Sequence, residues 1–190
     1  MGWIMKKLIT LAVLTIVLIV AQISPACVGK TIVLGVPNSA SEKLLADMAS
    51  IMISERTGSA VKVQVFKDSK ELYTAVKQGK VNVIIEATDR ALEMLGKPKA
   101  SGAAGSYEYV KSEYRKSMNL VWLDPFGGAR QYAPVLTAET LASYPALPKL
   151  LNKLAGAVTS ETCTNLLRSV DSEDSSRKVS RNFLKGKKLI

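Results

Sequence analysis

The chain has 190 residues, a formal net charge of +10, two cysteines and no histidine. Without histidine it lacks the commonest general base and the commonest metal ligand of proteins. The cysteines show no paired zinc-type spacing, and neither a glycine-rich phosphate loop nor a Gly-x-Ser-x-Gly elbow occurs. Composition therefore disfavours an enzyme and predicts no metal and no other cofactor.

The first residues have the pattern of a secretory signal. Two lysines precede an apolar run over residues 8–20, and small residues stand one and three positions before a possible cleavage point after Ala26. We therefore predict a signal peptide over residues 1–26 and a mature chain outside the cytoplasm, either periplasmic or anchored by lipid. A retained membrane anchor is the alternative, although a helix over residues 8–23 would span about 24 Å of a hydrocarbon core roughly 30 Å thick.

The two cysteines have different surroundings. Cys27 follows the predicted cleavage point, where a bacterial lipoprotein carries its acylated cysteine, although Ser24 stands where leucine is usual. Cys27 is therefore a candidate lipidation site. Cys163 falls on the apolar face of a predicted helix, which favours core packing, and nothing in the sequence requires a disulfide between the two.

Positive charge remains after the signal is removed and is concentrated near the C-terminus. Two lysines leave with the signal, so the mature chain keeps a charge near +8. The C-terminal cluster could meet anionic lipid headgroups or another acidic surface, or it could be a solvated helix face whose cations complement the helix dipole. Export and the lack of interleaved aromatic residues argue against nucleic acid. The cluster consists of Arg177, Lys178, Arg181, Lys185, Lys187 and Lys188.

The first predicted elements are a strand, a helix and a strand. Residues 31–36 are almost wholly apolar, which predicts a parallel strand in the middle of a sheet. Ser39 and Glu42 form a capping box, which predicts a helix that ends at Gly58. Apolar and polar residues then alternate over residues 61–65, which indicates a strand near the sheet edge.

The pattern then repeats. Asp68 and Glu71 open a second helix, Gly79 closes it, and residues 81–85 are a buried strand. This order predicts a right-handed, doubly wound α/β unit with a mainly parallel sheet and flanking helices, with the first strand between the other two.

The remaining elements have weaker patterns. A helix near residues 90–95, a longer helix around Val110 and a short strand over residues 120–123 are expected. A turn over residues 125–128 follows. Three C-terminal helices are then expected, centred on Leu151, Leu166 and Phe183.

The ligand side of such a sheet lies beyond the carboxyl ends of its strands. There, Asp89 could supply charge for a cation or simply favour a helix N-terminus. Serines at a helix start could hold a carboxylate, although capping explains Ser39 equally well, and Arg130 could bind an acidic ligand or simply be exposed. The candidate ligand-binding residues are Asn38, Ser39, Ser41, Glu86, Thr88, Asp89, Arg130 and Tyr132.

Several segments in order resemble one known family. The segments that begin at Tyr132, Tyr144, Val170 and Phe183 resemble the C-terminal end of the glycine betaine, carnitine and choline binding proteins of bacterial ABC importers, and residues 31–123 resemble the first half of the same lobe. The resemblance implies one lobe of a type II periplasmic-binding-protein-like fold over residues 30–190, with the second lobe missing. It also implies a solute-binding protein, or a reduced relative of one, that serves ABC-type import of glycine betaine or similar quaternary amines together with transporter membrane subunits.

One departure from the family bears on the ligand. The family's loop after the third strand typically reads Glu-Tyr-Thr-Gly, and here Ala87 stands in place of the tyrosine. Methylated cations are held by aromatic faces. An aromatic wall could be rebuilt near the same edge, although core packing is the other role open to each ring. The candidate rings are Tyr107, Trp122, Phe126 and Tyr132.

A single lobe offers a small ligand only half of the usual contacts. A second wall could come from a second copy in a homodimer, from the rest of a transporter or from another protein. The alternative function is an exported interaction module that kept the lobe for its surface and lost transport. An enzyme would need a pair of acid and base groups, for which Glu86 and Asp89 are the only candidates.

Overall fold

One five-stranded sheet forms the centre of the fold. Its strands in chain order are β1 (Ile32–Pro37), β2 (Val61–Phe66), β3 (Val83–Ala87), β4 (Leu120–Trp122) and β5 (Tyr132–Thr137). They lie in the order β2-β1-β3-β5-β4. β1 pairs in parallel with both β2 and β3, whereas β5 is antiparallel to β3 and to β4. The predicted mainly parallel sheet is confirmed, because only β5 runs against the others.

The structure is a computed structural model that describes residues 31–98, 103–127, 130–171 and 173–190. The predicted signal peptide and the predicted lipidation site at Cys27 lie outside these ranges. From Thr31 to Ile190 the chain forms one compact unit.

The position of β1 agrees with the prediction only in part. β1 lies between β2 and β3, as expected, but the middle of the five strands is β3. The reason is that β5 and β4 extend the sheet on the far side of β3. A wholly apolar sequence indicates a strand that is buried on both faces. It does not show which interior position in the sheet the strand occupies.

Nine helices surround the sheet in the described part of the chain. They are α1 (Ala40–Thr57), α2 (Ser69–Lys77), α3 (Thr88–Met94), α4 (Ala103–Met118), α5 (Ala138–Ser143), α6 (Leu147–Leu151), α7 (Lys153–Ala157), α8 (Ser160–Arg168) and α9 (Glu173–Gly186). Five of them follow β5, where three were predicted: α5 was missed, and the helix expected around Leu151 is divided at Asn152. Within the described ranges, no helix has the length and apolar character needed to cross a bilayer.

The helices cover both faces of the sheet. On one face α1 packs with α6, α8 and α9 over side chains such as Leu34 and Val36 of β1. On the other face α2 and α4 cover side chains such as Phe66 and Ile84. Because side chains alternate along a strand, each interior strand supplies both layers of the core.

The capping box predicted at α1 and the helix start predicted at α2 have different outcomes. At α2 the Asp68 side chain accepts a hydrogen bond from the Glu71 amide at 2.9 Å, and the Glu71 carboxylate accepts one from the Lys67 amide at 2.9 Å. At α1 the Ser39 side chain makes no capping bond. The box predicted there is wrong, because Glu42 is buried and pairs with a distant arginine instead.

β2 forms one edge of the sheet, as predicted. Val61 and Val63 pack partly against the core, while Lys62 and Val65 face solvent. Lys62 and Val65 point to opposite faces of β2, and Phe66, which shares a face with Lys62, is buried. The alternation therefore predicts the edge position correctly, but the single wetter face that it predicts is not observed.

Candidate functional site

The carboxyl ends of β1 and β3 meet at one edge of the sheet, where β5 begins. Ala87 of β3 is paired with Tyr132 of β5, and the Thr88 amide donates a hydrogen bond to the Gln131 carbonyl at 2.8 Å. We call residues 38–41, 87–89 and 130–132 the rim. The topology thus brings the candidate segments near residues 38, 88 and 131 to one place.

The side chains of the rim form a continuous chain of contacts. The Ser41 side chain lies close enough to the Tyr132 hydroxyl to lower the pKa of that hydroxyl. The guanidinium of Arg130 lies 5.5 Å from the centre of the Tyr132 ring, and its Nε is 3.4 Å from the Asp89 carboxylate. Burial raises the pKa of Tyr132, although Arg130 and Ser41 act in the opposite direction. The rim therefore offers an exposed arginine and a partly exposed carboxylate that currently bind each other.

The start of α1 supplies the other part of the rim. Asn38 is exposed and Ser39 is partly exposed. The Ser39 amide donates to the Pro37 carbonyl at 2.8 Å, so this amide is already bonded. The Ser39 side chain does not cap α1, so the helix start is open to a negative group from outside, beside the Glu42 carboxylate that already lies in its first turn.

Glu86 lies directly beneath the rim and not in it. Its side chain is fully buried. One carboxylate oxygen accepts from the Tyr73 hydroxyl at 2.6 Å, and the other accepts from the Ala87 amide at 2.8 Å and lies 2.6 Å from Nη2 of Arg90. Arg90 also forms an ion pair with Glu42, which is buried under the start of α1. The structure places Glu86 in a core network, away from a ligand at the rim.

This network extends to the opposite face of the sheet. The Tyr73 hydroxyl lies 2.7 Å from the Tyr114 hydroxyl. Burial raises the pKa of Glu86, although Arg90 and Tyr73 act in the opposite direction. Burial, together with the nearby Glu86 charge, raises the pKa of Tyr73 well above its usual value and also raises that of Tyr114. Both tyrosines therefore stay protonated and act as donors in the core.

We call Glu42, Tyr73, Glu86, Arg90 and Tyr114 the buried network. Sequence reasoning missed this network: it assigned Glu86 to the ligand, and it did not connect the other four residues to Glu86. A signal for Glu42 was present, because it stands three residues before Leu45 on the apolar stripe of α1. A carboxylate at such a position predicts a buried partner.

Unsatisfied polar atoms cluster at and beneath the rim. Five buried side-chain atoms in the described part of the chain have no protein hydrogen-bond partner. Four of them belong to the rim or to the buried network, and the fifth is Nε1 of Trp122. Buried polar atoms normally find a partner, so this region is suited to a bound water or a polar ligand. The four atoms are Glu42 Oε2, Thr88 Oγ1, Arg90 Nε and Gln131 Oε1.

The four candidate aromatic residues do not form one wall. All are buried, and the sheet separates them: Phe126 and Tyr132 pack on the α1 face, whereas Tyr107 and Trp122 pack on the α4 face. The Tyr107 hydroxyl donates to the Leu123 carbonyl at 2.6 Å, and burial raises the pKa of Tyr107 to about 12. Core packing therefore describes these rings better than a cation cage.

Cavity size does not identify the site by itself. A cavity of about 300 Å³ adjoins the rim between Phe126, Gln131 and the start of α8. A larger one of about 530 Å³ lies at the opposite end of the sheet, between α2 and α4. The rim is the stronger candidate, because two of the unsatisfied polar atoms, those of Thr88 and Gln131, belong to it and neither belongs to the larger cavity. Among the described residues no group of three or more acidic or cysteine side chains is placed to hold a metal ion.

Comparisons with a family model and with solved structures agree with each other. Residues 30–133 match the family described as the substrate binding domain of ABC-type glycine betaine transport system. The solved structure of apo YehZ from Escherichia coli has 13% sequence identity and a TM-score of 0.76, over 85% of this chain and 100% of that one. A glycine betaine/carnitine/choline ABC transporter structure has 12% identity and a TM-score of 0.75, over 84% and 98%. At these identities the two structures show the shared fold. A comparison with curated protein sequences gave no match.

Proposed function

Because the chain belongs to the family of substrate-binding domains of ABC-type glycine betaine transport systems, we propose that it is an extracytoplasmic solute-binding protein, or a reduced relative of one. Its ligand is glycine betaine or a similar quaternary amine, held at the rim. The protein binds this solute, and it releases the solute unchanged to the membrane subunits of an importer.

The observation that carries the proposal is the gathering of unsatisfied and exchangeable polar groups at the rim. The buried hydroxyl of Thr88 has no protein partner, and the exposed Arg130 contacts Asp89 and the Tyr132 ring, which a ligand could replace. Asp89 also accepts a hydrogen bond from the Arg90 amide at 2.8 Å, which holds its carboxylate at the rim. A zwitterion such as glycine betaine carries both signs of charge. Its carboxylate suits Arg130 and the uncapped start of α1, and its ammonium suits Asp89.

The site that we propose has a single wall. Residue 87 is an alanine whose side chain is fully buried, so this position offers no aromatic ring to a methylated cation. The one aromatic face at the rim, that of Tyr132, is already covered by Arg130. A ligand on such a surface stays largely in water, and its affinity for an isolated monomer is expected to be low. A second copy of the chain, or the transporter itself, would complete the enclosure.

A ligand titration of the monomer, separated by size, tests this function. We expect the amide signals of rim residues to shift with glycine betaine at millimolar concentrations in nuclear magnetic resonance spectra. Arg130→Gln removes a charge-assisted hydrogen bond worth about 1.5–3 kcal/mol and should weaken binding by roughly tenfold or more. The matched control is Arg115→Gln, an exposed position on α4 away from the rim, which should have no effect.

Two outcomes would change the proposal. Micromolar binding by a verified monomer would contradict the single open wall, because such affinity requires enclosure. The absence of binding by monomer and dimer alike would favour the exported interaction module over a solute-binding protein. Ala87→Tyr is a poor probe of the missing ring, since a large side chain at a fully buried position would have to displace packed neighbours.

A further inference from the structure

The end of the domain opposite the rim carries a dense group of exposed cations. α1 begins at the rim and its 18 residues span about 27 Å, so its last turn lies at the far end. There the Arg56 side chain donates hydrogen bonds to the Leu189 carbonyl at 2.8 Å and the Lys188 carbonyl at 3.4 Å. These contacts bring the C-terminal segment after α9 against the end of α1.

A shallow cleft adds further cations to this end. It has a volume of about 240 Å³, and Arg56, Lys149 and Lys153 are among the residues that line it. Glu55 also lies in the last turn of α1, but it forms an ion pair with Arg181. We define the basal patch by its six exposed cations, which are Arg56, Lys149, Lys153, Lys185, Lys187 and Lys188.

Helix dipoles favour five of the six cations of the basal patch, but not all of them. Cations near the C-terminal ends of α1, α6 and α9 would be favoured by those dipoles. Lys153, however, is the first residue of α7, where a positive charge is unfavourable. The six cations come from segments that are far apart in sequence, so the fold itself collects them. An arrangement that costs electrostatic repulsion suits a surface with an anionic partner.

The path of the chain indicates which partner. The Ile32 amide is hydrogen-bonded to the Ala60 carbonyl at 2.9 Å, so β1 starts beside the turn that follows α1. The chain therefore enters the domain at the end that carries the basal patch. The sequence predicts an apolar export segment before this point and a candidate lipidation site at Cys27, and the four residues from there to Thr31 reach at most about 14 Å.

We propose that the basal patch binds the surface of a bilayer that contains anionic phospholipids. Each lysine held near such a surface strengthens binding by roughly fivefold at moderate ionic strength. Attachment by this end leaves the rim in solvent, about 27 Å away along α1. The proposal does not depend on the ligand assigned to the rim.

Vesicle binding of the full chain tests the proposal. An apolar N-terminal segment would partition similarly into neutral and anionic bilayers, so the informative quantity is the ratio of binding to vesicles with phosphatidylglycerol over binding to pure phosphatidylcholine. We expect this ratio to be high at low salt. It should fall on the order of a hundredfold in the triple variant Lys185→Gln, Lys187→Gln, Lys188→Gln. It should also fall, by a smaller factor, in Lys149→Gln, Lys153→Gln, which leaves α9 intact.

A charge-matched control separates the basal patch from net charge. The variant Lys67→Gln, Lys70→Gln, Lys97→Gln removes three exposed cations elsewhere on the domain and should keep the ratio close to that of the unchanged protein. An equal loss in this control, or no loss in the basal variants, would overturn the proposal. Binding to a soluble polyanion such as duplex DNA, with no preference among vesicles, would also overturn it, because the patch would then serve another class of partner.

Discussion

Two arginine–carboxylate contacts lie within a few residues of the end of β3, and they differ in burial. Arg90 pairs with Glu86 and Glu42, whose side chains are 0% and 1% exposed. Arg130 pairs with Asp89, and these side chains are 51% and 34% exposed. The buried contact is part of the core and has no access to a ligand. The exposed one is held weakly and can exchange partners, so burial, and not residue type, decides which charges of this loop are available for binding.

The buried contact should dominate stability. Arg90→Met leaves two buried carboxylates without their shared cation, and the free energy of unfolding should fall by about 3–5 kcal/mol. Urea denaturation followed by circular dichroism measures the loss. The matched change at the exposed pair, Arg130→Met, should cost less than about 1 kcal/mol. Similar losses at the two positions would remove the distinction between them.

The tyrosine that supports Glu86 gives a smaller effect. Tyr73→Phe removes the hydroxyl that donates to Glu86 and contacts Tyr114, and we expect a loss of about 1–3 kcal/mol in the free energy of unfolding. Tyr109→Phe is the control, because Tyr109 is 39% exposed on the same helix as Tyr114. If both variants unfold at the same urea concentration as the unchanged protein, the hydroxyl network contributes nothing measurable.

The pH dependence of stability should reflect the burial of Glu86. The folded pKa of Glu86 is raised above its usual value of 4.5, so the folded state holds this proton more tightly than the unfolded chain. As pH rises from 4.5 through the folded pKa, the contribution of Glu86 to stability must therefore fall. Glu86→Gln cannot titrate, so the stability difference between the unchanged protein and this variant should decrease over that window. A difference that is flat or that increases with pH would contradict a raised pKa.

The exposed pair should give the smallest effect. In a double-mutant cycle with Asp89→Ala and Arg130→Ala, we expect a coupling energy of about 0.2–1 kcal/mol at low salt, and almost none at about 1 M salt. Denaturation of the four proteins at two salt concentrations provides the measurement. A coupling above about 2 kcal/mol that resists salt would mean that the rim pair is structural, and Arg130 would then be unavailable to a ligand.

Local patterns in the sequence predicted much of the framework. The strand at β1, the edge strand at β2 and the start of α2 at Asp68 were each predicted from neighbours within a few residues, and these elements are confirmed. The prediction at Ser39 used the same kind of pattern and was wrong, because Glu42 is bound by Arg90, 48 residues away. No local pattern encodes that distance.

Only part of the candidate site could be predicted from the sequence, for the same reason. The rule that ligands lie beyond the carboxyl ends of strands places residues near 38 and 88 together without any knowledge of side chains. Which charges at those ends face solvent depends on α1, α2 and α4 packing on the two sides of β3. The aromatic candidates show this most clearly, because Phe126 and Trp122 are close in sequence and lie on opposite faces of the sheet.

The position of β2 at the edge of the sheet has a consequence for the behaviour of the protein at high concentration. Among the described residues β2 pairs with a strand on one side alone, and its sequence, Val-Lys-Val-Gln-Val-Phe, would suit a strand that recruits a strand of another molecule. The charge of Lys62, exposed near the start of β2, opposes such stacking. One ammonium group, at the end of the sheet opposite the rim, therefore contributes to keeping the molecules separate.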